Sequence, residues 1–242
     1  MIETLICARG IGEPIKSPML MSVVRELEYL QARKIRVLHL PWSASYGPVP
    51  NPFGESFDKA LATGFEMLDD LLDDGPAVGI GFSGGAKLLG DFTRVRHPNL
   101  KAVGLIADPA MPWLTRNGNR FGITGSRNVS GLPVMWKADP KDGIPLCPSN
   151  SPLRTLADQS SAFSLGDPAA WGESMFTKLR RGQFQQVDPV RQFTMGEWLE
   201  AIKLFRGYGR GGDHTSYATR KERNGRTYTQ NLAAWLNQQM GA

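Results

Sequence analysis

The chain has 242 residues, of which 41% are apolar, and carries a formal net charge of +5. That length and apolar content suit one sizeable domain, or one domain with an insertion, and exclude general disorder. The basic balance would fit nucleic acid, an acidic polymer or an anionic surface, but no Lys/Arg run with interleaved aromatics occurs. The densest basic stretch, Arg220 to Arg226, contains a glutamate and reads as a solvated loop, so nucleic acid is not an expected partner. No apolar run reaches about 18 residues and no basic leader precedes one, so neither a signal peptide nor a membrane span is expected. Two cysteines make no disulfide framework; Cys7 reads as a buried free thiol and Cys147 lies in a Pro-rich loop.

Thr4 to Ala8 reads as a buried strand that breaks at Arg9-Gly10-Ile11-Gly12. Ser17 before Pro18 is a helix start, and Leu20, Val23, Val24, Leu27 and Leu30 recur at helical spacing. A strand over 35–40 and a loop of proline, serine and glycine over 41–52 follow. A second helix carries Phe57, Ala60, Leu61, Phe65, Leu68 and Leu72 on one face. Its Asp69, Asp70, Asp73 and Asp74 oppose the helix dipole and suggest a solvated face.

Next comes Val78 to Phe82, then Gly81-Phe82-Ser83-Gly84-Gly85, then a helix-compatible segment. The order strand, tight turn, helix gives the G-x-S-x-G spacing a mechanical meaning. A serine on a sharp strand-to-helix turn lifts its hydroxyl above the sheet edge, where glycines on either side allow close backbone approach. The Gly84 amide then sits at a helix N-terminus, where a developing oxyanion would be stabilised. Strands over 101–106 and 132–137 flank a Gly/Asn/Arg-rich loop over 108–130. Strands alternating with helices predict an α/β fold with a mostly parallel central sheet flanked by helices.

Around Pro148 the alternation stops. Residues 148–206 read as a helical insertion, with Trp171, Phe176, Leu179, Phe184 and Phe193 among polar residues. Thr194 and Glu197 form a capping-box pattern opening a helix with Trp198, Leu199, Ile202 and Phe205 expected inward. Trp171, Phe176 and Trp198 could line an acyl groove, though filling the insertion's own core is the commoner role for such residues. Residues 1–147 and 207–242 then form the main domain, closing with a helix that bears Leu232, Trp235 and Leu236.

A serine nucleophile needs a histidine base, and the histidine needs a carboxylate to fix its tautomer. In this fold class the three follow in the order serine, acid, histidine. Of three histidines, His39 lies in a strand before the serine and His97 sits after the nucleophile helix at the far end of the sheet. His214, in a glycine-rich loop after the insertion, is where that order wants the base. Function sits at the carboxyl ends of parallel strands, so Asp108, Asp139 and Asp142 are the candidate acids. The later strand favours Asp139 or Asp142, with Asp142 preferred; Asp213 reads as a loop charge. The loop after the first strand offers Ile11 N–H as the second oxyanion donor, beside Gly84.

Ala8-Arg9-Gly10-Ile11-Gly12-Glu13, Gly81-Phe82-Ser83-Gly84-Gly85, an Asp-containing loop with a cysteine and a late histidine together resemble the cutinase-like branch of the α/β-hydrolases. The segment PWSASYGP over 41–48, the helical insertion and the ending GGDHTSY are more specifically similar to the Lysin B enzymes of phages that infect mycobacteria. The resemblance implies a cofactor-free, metal-free serine esterase that cleaves mycolic acids from arabinogalactan during lysis. It implies Ser83 as nucleophile, Asp142 as acid, His214 as base, and the Ile11 and Gly84 amides as oxyanion donors. The sequence departs from the cutinase pattern at Ile11, where a hydroxyl residue is usual, and at Gly84, where glutamine is common. The expectation is a monomer, made in the host cytoplasm and acting at the envelope after release, with lipid esters as partners. The rival expectations are a general cutinase or lipase, or a non-catalytic envelope-binding protein on the same scaffold.

Overall fold

A computed structural model describes residues 2–32, 34–161, 185, 187–192, 194–209 and 212–241. Five strands, β1 (Thr4–Ala8), β2 (Arg36–His39), β3 (Ala77–Phe82), β4 (Leu100–Ile106) and β6 (Val134–Lys137), form one sheet in the order β2-β1-β3-β4-β6. Every pairing in it is parallel. A two-residue strand β5 (Arg120–Phe121) pairs antiparallel with β7 (Cys147–Pro148) outside it.

Alternation along each strand sends side chains to two cores. Leu5, Cys7, Val78, Ile80 and Phe82 face the helices α1 (Pro18–Gln31) and α7 (Tyr228–Gly241). Ile6, Ala8, Ala77, Val103 and Leu105 face α2 (Phe57–Asp73) and α3 (Gly84–Phe92). The β3 sequence Val-Gly-Ile-Gly-Phe is explained by this division. Its bulky residues fill the first core, while its glycines leave room for α3. A Cβ on Gly81 would lie 2.5 Å from the Gly85 carbonyl oxygen, and one on Gly85 would lie 2.0 Å from that of Ala8. The helix carrying the serine is therefore pressed onto β3 and β1 at backbone distance.

Helix starts follow the expected chemistry. The Ser17 hydroxyl accepts from Leu20 N–H at 3.2 Å, and Ser56 Oγ accepts from Lys59 N–H at 3.3 Å. Three of the four aspartates at the end of α2 lie near a basic side chain: Asp74 pairs with Arg36 at 2.9 Å, and Asp73 and Asp69 lie 3.6 and 3.9 Å from His97. Both cysteines are free and buried. Burial pushes the Cys7 thiol up to about 12.

In the segment expected as a helical insertion the described elements are α4 (Pro152–Ser160), a short helix α5 (Pro189–Gln192) and α6 (Met195–Gly209), which runs three residues past the expected end at 206. Trp171, Phe176, Leu179, Phe184 and Phe193 lie outside the described residues. The expected inward face of α6 is its outward one. Trp198, Leu199, Ile202 and Phe205 are 44%, 60%, 43% and 63% exposed, while Ala201 and Leu204 are buried. Leu204 packs on Gly143, where an added Cβ would stand 3.0 Å from the Leu204 Cβ, and Glu200 is held by Arg120. Close approach to a glycine selects the face with the smaller residues and an ion pair over the face with the larger apolar ones.

Candidate active site

Ser83 occupies the turn between β3 and α3 with φ 54° and ψ −119°, outside the ordinary regions for an L-residue. Such a backbone costs about 1–3 kcal/mol and persists only where its surroundings over-determine it. Here Ser83 N–H is bonded to Ile106 O at 2.9 Å, and Ser83 O accepts from Lys87 N–H at 3.0 Å in the first turn of α3.

The Ser83 hydroxyl lies 2.8 Å from His214 Nε2, across 131 residues of chain. His214 Nδ1 lies 2.8 Å from Asp142 Oδ2. An ionised carboxylate only accepts, so Nδ1 carries the proton and Nε2 is left as an acceptor for the serine O–H. Asp142 is fully engaged: Oδ2 also accepts from the Tyr217 hydroxyl at 2.7 Å, and Oδ1 from Ile144 N–H at 3.0 Å. Burial, then the neighbouring Asp142 charge, pushes the Tyr217 hydroxyl well above 10, so it stays a donor through neutral pH. The imidazole is buried between two rings, Phe82 at 5.0 Å and Tyr208 at 4.9 Å between centroids.

The other two candidate acids are brought elsewhere. Asp108 follows β4 but is wholly buried, bound by Arg127, by Trp136 Nε1 at 3.0 Å and by Ala110 N–H at 2.9 Å. Asp139 follows β6 and is paired with Arg220 at 2.5 Å, while Oδ1 caps Lys141 N–H at 2.9 Å. Arg220 also holds Asp213 at 2.6 Å, so this part of the basic stretch is an ion-pair centre and not a solvated loop. Hydrogen bonds donated to Asp213 and then to Asp139 raise the guanidinium pKa.

The Ile11 side chain packs against Gly84, the residue after Ser83. A Cβ on Gly84 would lie 2.7 Å from Ile11 Cδ1, so the two departures from the cutinase pattern are one packing event. The isoleucine fills the space that a side chain at position 84 would need. Gly10 N–H is taken by Glu13 Oε2 at 2.8 Å and Gly12 N–H by Ala44 O at 3.0 Å. Among the described residues no acceptor stands opposite Ile11 N–H.

Three contributors carried no role in the sequence reading: Tyr217, Tyr208 and Arg220. Tyr217 lies inside the quoted GGDHTSY, but its partner Asp142 is 75 residues away, and nothing local signals that bond.

No family model matches the sequence, and no curated protein matches it. Among solved structures, lysin B from Mycobacteriophage D29 aligns with 97% of this chain and 98% of its own, at 14% identity and a TM-score of 0.56. A cutinase-like protein from Cryptococcus sp. aligns with 76% of this chain and 96% of its own, at 18% identity and a TM-score of 0.41. An acetylxylan esterase aligns with 75% of this chain and 95% of its own, at 13% identity and a TM-score of 0.41. The fold is an α/β fold, a five-stranded parallel sheet flanked by helices, similar to that of the phage lysin B. Among the described residues no helix is long and apolar enough to cross a membrane.

Proposed function

We propose that the protein is a serine esterase in which Ser83 is the nucleophile, His214 the base and Asp142 the acid. The observation that carries this reading is the unbroken relay Asp142–His214–Ser83, with both bonds at 2.8 Å. His214 Nε2 takes the Ser83 proton as Oγ bonds to the ester carbonyl carbon. The carbonyl oxygen becomes an oxyanion held by the Ile11 and Gly84 amides. Collapse of that intermediate breaks the bond to the alcohol oxygen, which takes the proton from the imidazolium and leaves. Water, deprotonated by the same imidazole, then attacks the acyl-serine; the acyl–Oγ bond breaks, Ser83 Oγ takes the proton from the imidazolium and the acid is released. Each oxyanion donor in such a site contributes about 100- to 1,000-fold in rate.

The substrate we propose is the ester between mycolic acids and cell-wall arabinogalactan, cleaved at the envelope after release from the host cytoplasm. The support is the resemblance of PWSASYGP and GGDHTSY to Lysin B, with an alignment to one such protein that spans both chains through the insertion. Hydrolysis of p-nitrophenyl butyrate and of mycolylated cell wall by wild type and Ser83→Ala tests both levels. Wild type is expected to release mycolic acids from the wall, and Ser83→Ala neither product. Turnover of the short ester with none of the wall would leave a general carboxylesterase and reject the mycolate assignment.

A further inference from the structure

Between α6 and His214 the sequence reads Arg210-Gly211-Gly212-Asp213, and glycine loses more backbone freedom on folding than any other residue. Yet the relay needs its imidazole held within about 0.5 Å of one position. One side chain ties this segment to the loop of the acid. Arg220 Nη2 grips Asp213 Oδ1 at 2.6 Å, and Asp213 directly precedes His214. The other arm of the same guanidinium, Nη1, grips Asp139 Oδ2 at 2.5 Å. Asp139 begins the turn that ends in Asp142, closed by Asp142 N–H on Asp139 O at 2.9 Å. The Arg220 backbone is itself fixed, its N–H bonded to Ser216 O at 2.7 Å.

We propose that Arg220 is a positioning residue whose fork ties the loop bearing Asp142 to the loop bearing His214 and so sets the acid–imidazole geometry. The inference rests on the esterase reading above. The Asp139 end of the clamp is nearly inaccessible to water and the Arg220 end is about a third exposed. The Asp139 link therefore keeps its strength in salt better than a surface pair would. A lysine offers one ammonium and cannot span both carboxylates as the planar fork does. Tyr217 reinforces the same junction, accepting from Asp139 N–H at 3.2 Å while donating to Asp142.

The test is p-nitrophenyl butyrate kinetics on the full chain, with melting temperature measured alongside. Arg220→Ala is expected to lower kcat about 10- to 100-fold with KM within about twofold, the scale of a small misplacement of catalytic groups. Arg220→Lys is expected not to restore it. Asp213→Asn leaves the Asp139 pair intact and is expected to lose about tenfold, and Asp213→Asn/Arg220→Ala no more than Arg220→Ala alone. In a His214→Ala background, Arg220→Ala should change the residual rate by less than twofold, because the residue it positions is gone. Wild-type kcat in Arg220→Ala, or an equal loss with and without His214, would overturn the proposal. If Arg220→Ala does not fold, Asp213→Asn decides: full activity there rejects the clamp. A Ser83→Ala variant as active as wild type would instead reject the esterase reading on which the clamp depends.

Discussion

The sheet body and the helical insertion are written in different sequence languages. In α2 the residues at helical spacing, Phe57, Ala60, Leu68 and Leu72, are buried where expected, and its opposite face is polar. In α6 apolar residues stand on nearly every side, so spacing admits two inward faces and tertiary contact chooses. Gly143 and Arg120 choose the one with Ala201, Leu204 and Glu200. Periodicity is informative where one face is polar, and silent where neither is.

The contrast gives a ranked set of tests by denaturant unfolding. In the body, Leu68→Ala should cost about 2–5 kcal/mol, since the side chain is wholly buried between α2 and the sheet. At the junction, Arg154 donates to the carbonyls of Pro148, Phe121, Gly122 and Cys147 and lies 3.6 Å over the Phe121 ring. Arg154→Ala strands those acceptors and should cost about 3 kcal/mol. In the insertion, Leu204→Ala should cost about 2 kcal/mol and Leu199→Ala less than about 0.5 kcal/mol. The reverse order would mean that α6 is turned the way its sequence first suggests. The smallest effect is chemical. Cys7, its thiol pushed up to about 12, should resist a thiol reagent at pH 8 in the native protein and react at once in denaturant.

The strands, their parallel direction and the turn at Ser83 are legible because each is a local pattern: β1 spans the expected residues, and β2, β4 and β6 differ by one or two at their ends. Two of the three candidate acids could be set apart only by partners distant in sequence. Arg127 claims Asp108 and Arg220 claims Asp139, at separations of 19 and 81 residues. The β5–β7 pair has no sequence signal, because two-residue strands leave no periodicity to read. Tyr217 and Arg220 carry no local signal either. Their function is a contact, and a contact between remote loops has no signature within either loop.

Reaction with a fluorophosphonate probes the relay most directly, since it requires an activated serine but no particular ester. Wild type should be labelled at Ser83 alone, in stoichiometric amount. Asp142→Asn should slow that labelling about 10⁴-fold, while Asp108→Asn, if folded, should leave it within about threefold. Labelling that is absent in wild type, or that survives Asp142→Asn undiminished, would contradict the account.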